Sequence, residues 1–192
     1  QATARFAGLL PQVPPTVQVA LLALLRTRGD PAAFPAVQAA AGSPDPAVRT
    51  AALGALGELG DASTVPFLAE AAASREAAEQ RAARQALESL QRGDVGGALV
   101  ARLAGASPAV QAELVRALTT RQEKAAVPAL LELARGRRPA ERDSALRALE
   151  SLADPSHGAA LAELLAAAPE TETRAAVVSI FEAIAERAPG GE

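Results

Sequence analysis

The chain has 192 residues, a formal net charge of −3, no Cys and only 2% aromatic residues. The charge argues against a strong nucleic-acid binder while leaving room for a local basic patch. Without Cys there is no disulfide or thiol chemistry, and no run of about 18 uninterrupted apolar residues marks a membrane span.

Read in chain order, the sequence alternates two kinds of amphipathic segment. An opening helix is expected over about Thr3 to Gln12. VQVALLALLRTRGD (Val17 to Asp30) precedes FPAVQAAA from Phe34, and Ser43-Pro44-Asp45-Pro46 breaks the chain. VRTAALGALGELGD (Val48 to Asp61) precedes VPFLAEAA (Val65 to Ala72). EQRAARQALESLQR (Glu79 to Arg92) precedes GGALVARL from Gly96, with Gly93-Asp94 two places late. After Ser107-Pro108 come VQAELVRALTTRQE (Val110 to Glu123) and VPALLELA from Val127. Arg138-Pro139 opens ERDSALRALESLAD (Glu141 to Asp154) and GAALAELL from Gly158. Ala168-Pro169 opens TRAAVVSIFEAIAE (Thr173 to Glu186).

These segments superpose with a period of 31 residues, as from Val17 to Val48. The position of Leu56 is filled by Leu25, Leu87, Leu118, Leu149 and Phe181, and that of Leu68 by Phe6. Both segments place apolar residues at i, i+3, i+4 and i+7, the stripe of an amphipathic helix. No stretch sustains the alternation of a strand. One two-helix unit cannot bury its stripe alone, so stacked units must build the core. The expected fold is all-α: a single domain over 1–192, forming a right-handed α-solenoid (α-α superhelix) of about six two-helix repeats. The units run approximately 1–13 (partial), 14–45, 46–74, 75–107, 108–138, 139–170 and 171–192 (partial). There is no Met, including at position 1. The chain is therefore expected to be a piece of a longer chain or complex.

Asp30, Asp61, Asp94 and Asp154 precede the second helices, where a carboxylate can cap free N–H groups. Gly29, Gly60 and Gly93 stand before three of them, read as helix stops. Gly54 and Gly57 lie within a helix, at about 1 kcal/mol each relative to Ala. Large polar residues fill their places in other copies, so both are expected on the outward face.

Asp45 to Leu68, DPAVRTAALGALGELGDASTVPFL, resembles a HEAT repeat of the short kind found in phycobilisome lyase-like proteins. The carriers are Asp-Pro-x-Val-Arg, Ala-Leu-x-x-Leu-Gly-Asp and Val-Pro-x-Leu. The likeness spans nearly the whole chain and is weakest around Arg75 to Leu103. It implies that Arg49, Arg142 and Arg174 pair with inter-helix Asp residues as a structural ladder, partial because Gln18, Gln80 and Gln111 replace Arg elsewhere. It also implies that the second helices line the concave face.

The outward positions there read Arg5, Ala36, Phe67, Ala98, Ala129, Ala160 and Gly8, Ala39, Glu70, Ala101, Glu132, Glu163. This is a smooth surface of small residues with a sparse acidic line at Glu70, Glu132 and Glu163. Phe67 either tilts into the inter-repeat core or anchors a partner. The first helices carry Arg81, Arg84, Arg116 and Arg147 among Glu88, Glu150 and Glu182, an ordinary solvated face. The basic run RGRRPAER (Arg135 to Arg142) lies at a turn.

No catalytic, cofactor or metal site is expected. His157 is the only His, no His/carboxylate cluster offers metal ligands, and GDVGG (Gly93 to Gly97) lacks the Gly-Lys-Ser/Thr ending of a phosphate loop. The expected role is a non-catalytic scaffold for another protein or peptide. Two alternatives stay open: an accessory module that positions a substrate or chromophore for an enzyme, and a nucleic-acid-binding HEAT-like module, disfavoured by the lack of aromatics for stacking.

Overall fold

A computed structural model of the protein describes residues 2–168 and 170–187. Among them are twelve α-helices and no strand: α1 (Ala2–Ala7), α2 (Pro15–Arg28), α3 (Phe34–Ala40), α4 (Pro46–Leu59), α5 (Val65–Ala72), α6 (Ala77–Ser89), α7 (Val95–Leu103), α8 (Pro108–Thr120), α9 (Val127–Ala134), α10 (Pro139–Leu152), α11 (Gly158–Ala167) and α12 (Thr171–Arg187). First helices are the even-numbered ones, and second helices the odd-numbered ones. The breaker at Ala168-Pro169 includes Pro169, which lies outside the described residues.

Local chemistry sets the boundaries. Pro15, Pro46, Pro108 and Pro139 open four first helices, where the missing N–H would lack a partner anyway. Single 3-10 turns, absent from the sequence reading, lead into four second helices, at Pro31–Ala33, Ala62–Thr64, Lys124–Ala126 and Pro155–His157. The opening helix is shorter than Thr3 to Gln12. It ends at Ala7 and resumes as a 3-10 turn over Leu10–Gln12, because Pro11 has no N–H to give to the Ala7 carbonyl.

The chain divides into two units, residues 1–99 and 100–192. In the first, α1 packs on α2, α3 on α4 and α5 on α6, while α2, α4 and α6 also pack side by side. In the second, α9 packs on α10 and α11 on α12, and α10 lies between α8 and α12. A second helix thus makes its closest contact with the first helix that follows it. The core is aliphatic: Leu25, Leu56, Leu87, Leu118 and Leu149 are all fully buried, as are Leu68, Leu99, Leu130 and Leu161.

Beside this leucine row runs a row of small residues, Ala55, Ala86, Ala117 and Ala148, each buried. In the first unit it explains Gly57, which is buried rather than outward-facing. A Cβ built on Gly57 would lie 2.8 Å from Ala86 Cα and 2.3 Å from Ser89 Oγ. The helices α4 and α6 therefore meet backbone to backbone at this point. Gly54 differs, since its nearest neighbour would be an Arg26 guanidinium nitrogen at 3.6 Å, an ordinary contact.

The Gly-Asp recurrence hides two geometries. Gly29 ends α2 in the left-handed region at φ 62°, with its N–H donating to the Leu25 and Arg26 carbonyls. Gly60 ends α4 in extended backbone at φ −77°. It is glycine for space, because an added Cβ would lie 2.6 Å from the Leu56 carbonyl oxygen.

A polar thread accompanies the core. Near the start of the first helices, a side-chain N–H reaches back to a carbonyl of the preceding turn. Gln18 Nε2 donates to Val13 at 2.9 Å, Arg49 Nη1 to Ser43 and Pro44 at 2.9 Å each, and Gln80 Nε2 to Ser74 at 3.4 Å. In the second unit Gln111 Nε2 donates to Leu103 at 3.3 Å and Arg174 Nε to Ala168 at 2.8 Å. Arg and Gln are interchangeable here because the turn asks only for a long donor. The acidic partners from outside the Arg residue's own helix are glutamates: Arg49 pairs with Glu79 at 2.6 Å and Arg142 with Glu170, while Asp143, at 3.9 Å from Arg142, is its neighbour on α10.

Arg92 was not singled out by sequence reading. It sits in the two-residue extension before Gly93-Asp94, and its guanidinium donates to the carbonyls of Leu59 and Gly29 at 3.0 Å each. It thereby joins the C-terminal ends of α2 and α4, where unpaired carbonyls favour a cation.

Two stability predictions follow from these contacts. Gly57→Ala should destabilise the protein by about 1–3 kcal/mol through overpacking, whereas Gly54→Ala should stabilise it by about 0.5–1 kcal/mol through helix propensity. Denaturant titration of both variants reads the opposite signs. Arg92→Ala should cost about 1.5–3 kcal/mol, the range for charge-assisted hydrogen bonds, as a lowered unfolding midpoint.

Candidate functional site

The acidic residues before the second helices act on the turns that aim those helices. Asp30 accepts from the N–H of Ala32 at 3.0 Å, Asp61 from Ser63 at 2.9 Å, Asp94 from Gly97 at 2.8 Å and Asp154 from Ser156 at 3.0 Å. The Ser63 hydroxyl adds a bond to Asp61 at 2.6 Å, and the Ser156 hydroxyl one to Asp154 at 2.5 Å. These hydroxyls are the main reason that both carboxyls titrate below their ordinary value. The Asp30 carboxyl is also lowered, chiefly by the Thr3 side chain and then by the Ala32 N–H. Glu123, at the corresponding place before α9, makes no side-chain cap.

Asp154, Ser156 and His157 lie together, yet not as a catalytic relay. His157 Nδ1 accepts the Asp154 backbone N–H at 3.2 Å in a capping box. The Ser156 hydroxyl bonds Asp154 at 2.5 Å and lies 3.5 Å from the same Nδ1. In a Ser-His-Asp triad the serine and the aspartate engage opposite ring nitrogens; here both crowd one. Among the described residues no group of three His, Cys, Asp or Glu could hold a metal ion.

The surface rows fall on exposed faces of the second helices. In the first unit, Gly8, Ala39 and Glu70 are exposed, and Phe67 on α5 is 39% exposed. In sequence it stands between the exposed Pro66 and the fully buried Leu68, on a helix with Val65, Leu68, Ala69 and Ala72 inward. In the second unit, Ala101, Glu132 and Glu163 are exposed, with Ala129 and Ala160 half-buried beside them. Arg135 bridges the acids, pairing with Glu132 and, at 3.6 Å, with Glu163.

That bridge also bears on the basic run. Arg135 is engaged by Glu132 and Glu163, Arg138 by Glu141 at 2.6 Å and Arg142 by Glu170. A recess of 230 Å³ lies among Arg135, Arg137, Arg142, Leu164, Ala168 and Thr173. Three of the four cations of the run are neutralised within the chain, so the turn is no concentrated phosphate cradle. Glu132 and Glu141 are i,i+3 neighbours of Arg135 and Arg138, but Glu163 and Glu170 are distant in the sequence, beyond the reach of a local reading.

Paired helices in register, an aliphatic core and donors reaching to inter-repeat turns define an α-helical repeat protein of the solenoid class. A family model of HEAT repeats matches residues 4–88 and 97–180. The chain belongs to the HEAT-repeat family. No curated protein matches it significantly. Among solved structures it is similar to human deoxyhypusine hydroxylase in complex with glycerol, at 21% identity and TM-score 0.49, covering 97% of this chain and 74% of that one. It is also similar to the CpcE–CpcF phycocyanin lyase complex of Nostoc sp., at 22% identity and TM-score 0.44, covering 88% and 71%. A HEAT-like repeat protein of Thermococcus onnurineus aligns at 17% identity and TM-score 0.48, covering 99% and 83%.

The lowered Asp carboxyls predict an acid-side effect. A carboxyl whose folded value is depressed contributes stability that is complete above its unfolded value and lost as pH falls through the folded value. An Asp61→Asn, Asp154→Asn double variant keeps neutral caps. It should be less stable than the wild type at pH 7 and converge with it as pH falls from about 5 to 2, read as denaturation midpoints across pH.

Proposed function

We propose that the protein is a non-catalytic scaffold that holds another protein or a peptide on the exposed face of its second helices. One observation carries the reading: Phe67 stands 39% exposed on α5, in a row otherwise occupied in this unit by Arg5, Ala36 and Ala98. A large ring beside small neighbours offers a partner apolar contact and close backbone approach, as hot spots do. Glu70 extends that face with negative charge. In the second unit, the exposed Glu132 and Glu163 flank Arg135, which suits a partner whose own Lys or Arg side chains replace that bridge. The partner expected on this chemistry is a helix or extended segment with one buried apolar residue and flanking positive charges.

The remaining residues support a structural role. Asp30, Asp61, Asp94 and Asp154 aim the second helices. Arg49, Arg142 and Arg174 tie each first helix to its surroundings, and no cofactor enters the proposal.

Selection of displayed peptides against the folded protein tests this. Binders should be enriched in Lys and Arg around an apolar residue. Phe67→Ala should weaken the best binder about 10-fold or more, equivalent to about 1.4 kcal/mol. Glu70→Gln, on the same helix, should flatten its salt dependence. A binder unaffected by both substitutions would reject this face as the site.

A further inference from the structure

The first helices share two neighbouring rows near their start. One reads Val17, Val48, Glu79, Val110, Glu141 and Thr173, and the donor row beside it reads Gln18, Arg49, Gln80, Gln111, Arg142 and Arg174. Each donor has a counterpart one repeat later in the other row. Gln18 is followed by Val48 and Gln80 by Val110, so a neutral amide is matched with an apolar residue. Arg49 is followed by Glu79, and its Nε and Nη2 lie 2.7 and 2.6 Å from Glu79 Oε1. Arg142 is followed by Thr173, whose hydroxyl donates at 3.4 Å to Glu170, the carboxylate that receives Arg142. Gln111 breaks the rule, because the residue one repeat later is Glu141. A carboxylate stands there without an arginine in the donor row.

The consequence is visible within the second unit. Gln111 is 7% exposed. Its Nε2 donates to the Leu103 carbonyl, so the amide presents Oε1 as its remaining acceptor. Among the described residues, Gln111 Oε1 and Glu141 Oε1 are buried atoms with no hydrogen-bond donor. Both side chains line one recess of 60 Å³ formed by α8, α9 and α10, with Val115 and Leu133 as apolar wall and the exposed Ala112 and Ala140 beside them. Buried acceptors call for donors, and this recess gathers two acceptors, one of them a carboxylate. Arg138 Nη1 lies 2.6 Å from Glu141 Oε1, but off the geometry of a hydrogen bond and on a side chain that is 64% exposed. An exposed pair of this kind is weak, and it does nothing for Gln111.

We propose that this recess binds a guanidinium group from outside the chain, the head of an arginine side chain or of a small guanidine. Guanidinium carries donors only, arranged in a planar fork, so one group can serve both acceptors and balance the carboxylate. Its weak hydration suits apolar walls better than an ammonium would. The pair of Arg49 and Glu79 shows that this step of the repeat holds a guanidinium against a carboxylate of the same row. The volume equals about two waters' share of the liquid, at about 30 Å³ each, which admits a flat head and refuses a bulky cation. The site lies in the second unit and does not depend on the partner face built around Phe67.

The test is an NMR titration of the isotope-labelled 192-residue protein with methylguanidinium. Saturable shifts should appear at the Gln111 side-chain amide and at the backbone amides of Ala140 and Ser144. Tetramethylammonium has the same charge but no N–H, and should produce none. Glu141→Gln should weaken binding about 10-fold or more, the loss of a charge-assisted contact. Gln111→Arg supplies the group from within the chain and should abolish binding. Circular dichroism should show the wild-type spectrum for both variants. A blocked tripeptide with arginine at its centre separates the two sources. Tighter binding than methylguanidinium assigns the group to a protein side chain, and equal or weaker binding assigns it to a free small guanidine. Absence of saturable shifts, an equal response to tetramethylammonium, or a folded Glu141→Gln or Gln111→Arg variant that binds like the wild type would each overturn the proposal, leaving a recess that takes only water.

Discussion

The distance between neighbouring first helices governs this molecule. With 2% aromatic residues and Leu as the largest common side chain, the interior cannot be filled across a wide gap. The helices must come close, and the row of Ala55, Ala86, Ala117 and Ala148 is what permits it. Leucines one position along the same faces then interdigitate fully buried. Gly57 is the extreme of the trend, where α6 approaches so far that even a methyl group would overlap the Ala86 backbone. Close packing of this sort is intolerant of added volume, so the small residues hold the fold as firmly as the large ones.

Close helices leave turn carbonyls and helix ends near the core, and buried polar groups must be paired. The Arg/Gln row, the Asp caps and Arg92 divide that work. The Arg/Gln row satisfies carbonyls at the turn before a first helix. The Asp residues satisfy N–H groups at the turn before a second helix. Arg92 takes the carbonyls left at the far ends of α2 and α4. In the second unit Arg187 does similar work on α10, donating to Glu150 at 2.7 Å and Ala153 at 3.0 Å. Chemistry thus follows topology: carboxylates satisfy N–H groups where helices begin, and guanidiniums satisfy carbonyls left in turns and at helix ends.

Helices and rows were legible in the sequence because apolar spacing encodes them directly, and the recurrence of Leu56 and Leu68 equivalents fixed the register. The Asp positions were legible for the same reason, as a local offset from a helix start. Gly57 was not, because its role depends on Ala86 and Ser89 in another helix, and alignment with Arg26, Glu88 and Thr119 pointed to the outside. Alignment averages over copies, whereas the approach of α4 to α6 is a property of one pair. Arg92 escaped for a related reason: it lies in an insertion, and register comparison is blind to residues without counterparts. The Gln members of the donor row looked like gaps in an arginine ladder, since charge was taken as the shared property when reach and an N–H were enough.

Burial separates two kinds of apolar exposure that a sequence alone merges. Leu24 and Val178 occupy rows buried in every other aliphatic or alanine copy, so their rows mark them as repeat–repeat contact positions. Phe67 occupies a row that is at most half-buried elsewhere, as at Ala36, Ala98, Ala129 and Ala160, so no continuation of the stack would cover it. A partner on Phe67 must therefore approach from outside the repeat. The two kinds of row differ in what can cover them: a repeat–repeat position is covered by a helix in register, whereas the Phe67 row offers only an apolar group and room beside it. A residue's row, rather than its exposure alone, decides which kind of partner it can recruit.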